Sequence, residues 1–205
     1  MNTKSISYAI TTHNEGESVL KLLNTIQIHK RECDEVIVLD DFSTDATTKA
    51  AITNSTKVYT RKFSNDYAEH KNYLNEQCGC DYILQFDGDE LPTDNLIKII
   101  PQFISAWPDV DLFWIPRENK LHNIDMKWID KWNWSVDPVG RVNYPDYQGR
   151  LYKNDPTIKW VRPLHEMISG HTNQRVLPPN SGLDILHHRH MDIQIRNNIY
   201  YDENF

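Results

Sequence analysis

Short, largely apolar runs alternate with amphipathic stretches over the first 116 residues of the chain. Runs of strand length occupy positions 6–11, 35–39, 57–60, 82–86 and 111–116. Between them, apolar residues recur at the three- and four-residue spacing of a helix. Helices are predicted over residues 18–29, from Ser43, over residues 65–77, and from Pro92, the last with a kink or break at Pro101. This alternation predicts an α/β fold with a mainly parallel sheet and right-handed crossovers.

Polar residues follow three of these strands at the point where each strand ends. They are Thr11, Thr12 and Glu15, then Asp40 and Asp41, then Asp87 and Asp89. The carboxyl ends of parallel strands meet at one edge of a sheet, which is where open α/β sheets hold their ligands. The sequence therefore predicts a single acidic site at this edge.

The strand at 82–86 ends in Asp87-Gly88-Asp89, and this D-x-D motif is the strongest candidate for chemistry. Asp87 and Asp89 can converge on one hard divalent cation, while Gly88 keeps the space between them clear. Mg²⁺ is typically held by one or two carboxylates together with substrate phosphates, so we expect a phosphate-bearing ligand. The alternative is an acidic surface turn.

The character of the chain changes after residue 116. Residues 118–148 are rich in Trp, Asn, Asp and Pro without regular periodicity, and are predicted to form a long substrate loop or a small insertion. A hairpin is predicted from residues 149–153 and 158–161, and a late strand at 184–190 precedes a polar tail. We therefore divide the domain into an α/β half, 1–116, and a second half, 117–205.

Composition excludes several classes of protein. A chain of 205 residues fits one domain, and its net charge of −7 disfavours a basic face for nucleic acid, although not a local site. Cysteines at 33, 78 and 80 form neither a disulfide framework nor a good zinc site. Without a signal-peptide core or an apolar run of membrane-spanning length, a soluble, cytoplasmic protein is expected.

With these motifs placed, the chain resembles the family 2 glycosyltransferases of the GT-A fold. Residues 6–16 and 36–45 match, the latter being similar to V-I-V-V-D-D-G-S-T-D with Phe42 in place of the glycine, and Asp87-Gly88-Asp89 matches the metal motif. Residues 149–152, 164–166 and 186–187 resemble the R-L-[FY]…H-E…H pattern of a bacterial and phage-type branch. Residues 118–148 match no such pattern, which leaves the acceptor open.

The resemblance implies a metal-dependent, inverting transfer of a sugar from a nucleotide-diphosphate donor, such as a UDP-sugar, to a hydroxyl acceptor. It implies a Rossmann-like GT-A sheet flanked by helices, with a smaller acceptor-side C-terminal part. The nucleotide-sugar contacts it implies are Thr11, Thr12, Glu15, Asp40, Asp41, Arg61, Lys71, Asp87, Gly88 and Arg150. The implied ligands of Mn²⁺ or Mg²⁺ are Asp89, Asp87, His187 and His165. Glu166 is the implied general base, with Asp137 and Asp146 as rivals.

Several residues have a second interpretation. Asp41 is also placed to hold the start of the following helix, and for Arg61 and Lys71 the favoured interpretation is a solvated charge. Arg150 can bind diphosphate or hold an acidic loop. The tryptophans Trp128, Trp132 and Trp134 can stack on a ligand or pack internally.

The function has alternatives of its own. One is a nucleotidyltransferase, although the turn after the first strand lacks the Gly-rich, basic composition that cradles triphosphate. Another is a non-catalytic nucleotide-sugar-binding module. For the acceptor of a transferase, a surface glycan is the usual choice in this family, with a hydroxylated DNA base or a protein side chain as alternatives.

Overall fold

The computed structural model describes residues 4–204. Residues 1–3, part of the N-terminal segment considered above for a signal peptide, and residue 205 lie outside this range. Helices α1 to α6 are Gly16–His29, Thr47–Asn54, Tyr67–Asn75, Asp94–Ala106, Met126–Lys131 and Met191–Asn204. Strands β1 to β11 are Ile6–Thr12, Glu35–Asp40, Lys57–Thr60, Tyr82–Asp87, Leu91–Pro92, Leu112–His122, Arg141–Lys153, Lys159–Val161, Met167–Ser169, Gln174–Val176 and Ile185–His190. Among the helices of this range, none is long and apolar enough to cross a membrane.

One central sheet joins the two parts of the chain. Its strand order is β3-β2-β1-β4-β7-β6-β11-β5, with β10 paired to β6. Strands β3, β2, β1 and β4 are parallel, as predicted, while β7 runs antiparallel to both β4 and β6. Strands β8 and β9 form a separate antiparallel pair. The predicted α/β fold with a mostly parallel sheet is confirmed.

Both faces of the sheet are covered by apolar residues, which explains why its central strands are almost continuously apolar. On one face, Tyr8 and Ile10 of β1 pack in a core shared with helices α1 and α4. On the other face, Ala9 belongs to a core with Leu74 of α3 and Trp160 of β8. Successive residues of β1 thus enter opposite layers, as the two-residue period of a strand requires.

Two predicted helices differ from those observed. Helix α2 begins at Thr47 and not at Ser43, because side chains hold the intervening turn: Asp40 accepts from the amide and hydroxyl of Ser43, and Asp45 accepts from the amide of Thr47. Helix α4 continues through Pro101 without the predicted break. Its buried residues on both sides of the proline offset the loss of one hydrogen bond.

Of the two predictions for residues 118–148, the long loop is wrong. Strands β6 and β7 extend through much of it as a long antiparallel ribbon, with α5 between them. The ribbon is stabilised by polar cross-strand pairs, such as Arg117 with Asp146, so it lacks the apolar alternation that reveals a strand. The predicted hairpin at 149–161 is also wrong, since β7 pairs with β4 and β6 while β8 pairs with β9.

Candidate functional site

The predicted acidic edge is present, and a cavity opens onto it. The parallel register places Thr12 opposite Asp40 and Thr11 opposite Asp87, so the ends of β1, β2 and β4 lie side by side. We call the adjoining space of about 450 Å³ the strand-end cavity. Its lining includes these residues predicted to contact the nucleotide-sugar: Thr11, Thr12, Glu15, Asp41, Lys71, Asp87 and Gly88.

A second cavity, of about 360 Å³, lies on the other side of the D-x-D motif. We call it the hairpin cavity, because the β6–β7 ribbon supplies Asn119, Trp134, Asn143 and Asp146 to its lining. Asp87, Asp89, Arg189 and Tyr201 line both cavities. The carboxylates of the motif therefore stand in the wall between two adjacent binding spaces.

Gly88 is required by the close approach of neighbouring side chains. A Cβ atom at this position would collide with the carboxylate of Glu15 and lie 2.7 Å from Oγ1 of Thr12. The Thr12 hydroxyl in turn donates to Glu15 Oε2 at 3.1 Å. The absence of a side chain at residue 88 thus brings the end of β1 and the D-x-D motif into contact.

Asp87 is neutralised by two buried cations of the protein. Lys71 Nζ lies 3.0 Å from its Oδ1, and Arg150 Nη2 lies 2.6 Å from its Oδ2, with both cationic side chains 3% exposed. Burial by itself would raise the pKa of Asp87, but Arg150 and Lys71 outweigh it and hold the pKa well below its usual range. The interpretation of Lys71 as a solvated charge is therefore wrong.

Asp89 faces a histidine that its neighbours hold in place. Asn119 donates its amide to Asp146 Oδ2 at 2.9 Å, which leaves Asn119 Oδ1 to accept from Nδ1 of His187 at 2.8 Å. His187 Nε2 lies 3.3 Å from Asp89 Oδ2. The two atoms form an ion pair when the ring is protonated, and with the neutral ring they are two ligand atoms that can bind one cation between them. Arg189 also donates to the same Asp89 oxygen.

The Asp89 oxygen and the His187 nitrogen fit a divalent ion whose coordination is completed by a second bound molecule. Carboxylate oxygen and neutral imidazole nitrogen suit Mn²⁺, and the former suits Mg²⁺. Within residues 4–204, however, no three His, Cys, Asp or Glu side chains converge as a metal site. All four predicted ligands line the hairpin cavity, but they do not converge on one point: both oxygens of Asp87 are engaged by Lys71 and Arg150, and His165 is exposed.

Asp40 and Arg61 lie outside the lining of the strand-end cavity. Asp40 is 2% exposed, and its carboxylate accepts from Ser43 and from the Thr48 hydroxyl at the start of α2. The helix-holding role considered for Asp41 is therefore performed by Asp40. Arg61 pairs with Glu69 at 2.5 Å and stacks over Tyr73.

The candidates for general base differ in how many hydrogen bonds and ion pairs their carboxylates already form. Glu166 Oε1 accepts from Lys71 at 2.6 Å, and its side chain retains 18% exposure. Burial raises its pKa, yet the Lys71 charge outweighs this effect and the pKa is lowered overall. Asp146 accepts from Arg117, Asn119 and Gln148 through both oxygens. Asp137 is held by Arg141 at 2.6 Å. Neither Asp137 nor Glu166 is in the lining of the two cavities, but Glu166 shares Lys71 with Asp87 of the D-x-D motif.

Residues that sequence reasoning missed include Arg189, Asn119 and the cavity-facing side of α6. Helix α6 contributes Asn197, Tyr200 and Tyr201 to the lining of the strand-end cavity. Arg189 had a detectable signal, because residues two apart on a strand share a face and His187 had already been selected. Asn119 had no detectable signal, since nothing in the sequence distinguishes one asparagine among the many polar residues of the ribbon.

A family model and several known proteins resemble this chain. The model of the family described as glycosyl transferase family 2 matches residues 7–162. An uncharacterized glycosyltransferase of Rickettsia typhi is 36% identical over 87 residues, which are 42% of this chain and 28% of the relative. A TPR repeat-containing protein of Synechococcus elongatus is 26% identical over 80% of this chain and 35% of its own length. The aligned parts thus span about a third of these relatives.

Among solved structures, the crystal structure of S. aureus TarS 1-349 in complex with UDP-GlcNAc is similar, with a TM-score of 0.65. The match covers 90% of this chain and 58% of that chain, at 16% sequence identity. At this identity the likeness shows the fold, which is that of the GT-A glycosyltransferases.

The roles of the paired acids after β2 can be separated by stability. We expect Asp40→Ala to lower the free energy of unfolding by about 1–3 kcal/mol, because it leaves the half-buried donors Ser43 and Thr48 without their partner. Asp41→Asn keeps the oxygen that accepts from the Phe63 amide, so a change within about 0.5 kcal/mol is expected. Urea denaturation of both variants measures this, and equal losses would contradict the assignment.

Glu15 should give the protein a pH-dependent stability. Burial, followed by the nearby charge of Asp89, raises its pKa from 4.5 to about 8. The folded state therefore favours the protonated carboxyl, and the stability this confers is present below pH 4.5 and lost as the pH rises towards 8. Urea denaturation between these limits should show a downward slope that Glu15→Gln reduces. The exposed Glu17→Gln control should keep the wild-type slope, and an unchanged slope in Glu15→Gln would exclude this cause.

Proposed function

Because the chain belongs to glycosyl transferase family 2, we propose that it transfers a sugar from a nucleotide-diphosphate donor to a hydroxyl acceptor with the help of a divalent cation. The observation that carries this proposal is the strand-end cavity, in which polar side chains from the ends of three parallel strands meet the D-x-D motif. The TarS complex contains UDP-GlcNAc, which supports a UDP-sugar as the donor.

The nucleotide occupies the strand-end cavity in this proposal. Thr11, Thr12 and Asp41 offer hydroxyl and carboxylate groups to the base and ribose from the strand ends. Phe63 and Tyr67, with ring centroids 4.6 Å apart, add an aromatic wall suited to the flat face of a base. These side chains bind and orient the donor, and none of them needs to change protonation.

Asp89 and His187 would hold the cation, Mn²⁺ or Mg²⁺, and the phosphates of the donor would complete the site. When bound, the ion acts as a Lewis acid on the diphosphate leaving group. Asn119 orients His187 through the Nδ1 hydrogen bond, a support that typically matters for metal affinity. Arg189 adds a guanidinium between the two cavities, and its planar fork is suited to phosphate.

Glu166 is the proposed general base, which takes the proton of the acceptor hydroxyl as the new bond forms. Burial raises the pKa of Glu166, but the Lys71 ammonium outweighs burial and lowers it overall, so the carboxylate is ionised at neutral pH. The lowered pKa also makes Glu166 a weaker base than a carboxylate whose pKa lies near neutral pH. Lys71 also contacts Asp87, and this shared cation fixes the base relative to the D-x-D motif. The acceptor oxygen displaces the diphosphate from the opposite side of the anomeric carbon, and this displacement inverts the configuration of that carbon.

The donor site is tested by thermal melting with UDP-glucose, UDP-GlcNAc and GDP-mannose, each with and without Mn²⁺. A donor at 100 times its dissociation constant should add about 2.7 kcal/mol of stability. Asp89→Asn should remove the metal-dependent part of this gain, while Asp137→Asn, at a residue that lines neither cavity, should retain it. If none of the nucleotide-sugars stabilises the protein, the proposed donor site is excluded and a different kind of ligand is favoured.

The base is tested by Glu166→Gln, which keeps a side chain of the same size beside Lys71. We expect donor binding to persist while UDP release, to water or to an added hydroxyl acceptor, slows by on the order of 10² or more. Melting and UDP-release assays on the same preparation separate the two effects. If donor affinity collapses instead, Glu166 is a ligand-binding residue and another group is the base.

A further inference from the structure

We propose that Arg189 holds the charge of Asp89 until a divalent cation binds there, and then moves to the diphosphate of the donor. This inference rests on the proposed glycosyl transfer and deepens it, because it explains how a cation gains access to a carboxylate that the protein already neutralises. Arg189 is in this role a donor-binding residue that lies outside the D-x-D motif.

Arg189 and the proposed cation require the same oxygen atom. Arg189 Nε donates to Asp89 Oδ2 at 2.8 Å, and Nη2 of the same guanidinium donates to that atom as well. His187 Nε2, the other proposed ligand atom, lies 3.3 Å from Asp89 Oδ2. A cation that joins His187 to this oxygen therefore lies next to a guanidinium of like charge. The two positive groups repel each other, so the binding of one favours the departure of the other.

Asp89 needs a positive partner at all times. Its side chain is 18% exposed, and burial by itself raises its pKa, as does the neighbouring charge of Asp87. His187 and Arg189 outweigh these effects and hold the pKa of Asp89 below its usual range. Of the lysines and arginines that the structure describes, only Arg189 is paired with Asp89. The departure of Arg189 must therefore be offset by another positive charge, and a divalent cation supplies one.

Arg189 differs in its exposure from the two cations that neutralise Asp87. Lys71 and Arg150 are each 3% exposed, whereas the side chain of Arg189 is 24% exposed. Arg189 also lines both the strand-end cavity and the hairpin cavity, while Arg150 lines neither. Lys71 and Arg150 are thus held in the interior, but Arg189 borders open space on the side where the proposed donor binds.

The strand that carries Arg189 allows its side chain to move while His187 stays in place. Residues two apart on β11 share a face, so both side chains point toward Asp89. Parallel pairing with β6 holds the backbone of β11, with His187 opposite Asn119 and Arg189 opposite Leu121. Rotation of the Arg189 side chain is then sufficient for the exchange, and its planar fork can form two hydrogen bonds with a phosphate.

A permanent structural ion pair is the alternative, and it predicts the opposite effect on cation binding. If Arg189 only supports Asp89, its removal loosens the carboxylate and weakens the binding of a cation. If Arg189 competes with the cation, its removal strengthens that binding. The sign of the change in cation affinity therefore separates the two roles.

Cation binding is measured with Mn²⁺ alone, from the electron paramagnetic resonance signal of the unbound ion. Arg189→Gln removes the charge, and we expect it to bind Mn²⁺ about tenfold or more tightly than the wild type does, a typical size of coupling between ligands. Arg196→Gln makes the same change of charge at an exposed residue of α6 that lines neither cavity, and should leave the affinity unchanged. The double variant of Asp89→Asn and Arg189→Gln should lose the gained affinity. Equal or weaker Mn²⁺ binding by Arg189→Gln would overturn the proposal.

The contact of Arg189 with the donor is measured by calorimetric titration of UDP and of uridine at saturating Mn²⁺. Arg189→Gln should bind UDP about tenfold or more weakly than the wild type does, because the diphosphate loses a charge-assisted partner. Uridine has no phosphate and should bind both proteins equally. An unchanged UDP affinity, or an equal loss for uridine, shows that Arg189 does not bind the diphosphate and overturns the exchange.

The exchange can also be followed in the wild type, so the result does not depend on the folding of a variant that lacks the charge. The Nε–H group of Arg189 is identified in a proton–nitrogen correlation spectrum as the arginine signal that Arg189→Lys lacks. Mg²⁺ and UDP together should shift this signal, and a signal that both leave unchanged contradicts the movement of Arg189.

The outcomes separate this inference from the proposed function. If UDP does not bind the wild type at any Mn²⁺ concentration, the proposed transfer fails and the inference fails with it. If UDP binds with Mn²⁺ but Arg189→Gln gains no affinity for Mn²⁺ alone, only the role of Arg189 is overturned.

Discussion

The buried charge of Asp87 is the constraint on which the rest of the site depends. Its carboxylate lies at the end of β4, and Lys71 from α3 and Arg150 from β7 neutralise it. Each cation then contacts a second carboxylate, Glu166 in one case and Glu90 in the other. Removing one member of such a buried network typically costs about 3–5 kcal/mol, because the remaining charges lose their partner. The need to neutralise one aspartate thus connects the α/β half to the segments that follow it.

The same network extends to the proposed metal ligands. Arg117 joins Glu90 to Asp146, Asp146 accepts from Asn119, and Asn119 in turn orients His187. A histidine ligates a metal through an unprotonated nitrogen, and the hydrogen bond at its other nitrogen selects which one that is. The ribbon that sequence analysis treated as a loop is therefore a structural support, since its paired strands hold Asp146 and Asn119 at a fixed spacing.

The part of the site that could be predicted is the part built from parallel strands. Once β1, β2 and β4 are recognised as apolar runs, their adjacent ends follow from topology, and Thr11, Thr12, Asp41 and Asp87 fall into one cavity. In the second half, the end of β7, β8 and β11 were also predicted as strands. The β6–β7 ribbon over residues 118–148 was not, because it carries polar residues on both faces. Lys71 shows the limit most clearly, since its role depends on Asp87 and Glu166, which are distant in sequence and become its partners only in the fold.

The strand-end cavity and the hairpin cavity share a wall, so a ligand bound in one affects the other. Asp89 is contacted by His187 and Arg189, so its charge is already balanced within the protein. A cation and a diphosphate arriving together bring both signs of charge, and can engage Asp89 and Arg189 without leaving either unpaired. A cation alone must compete with Arg189 for the same oxygen. Because Arg189 also lines the hairpin cavity, a movement of Arg189 that admits the donor also changes the lining of the hairpin cavity.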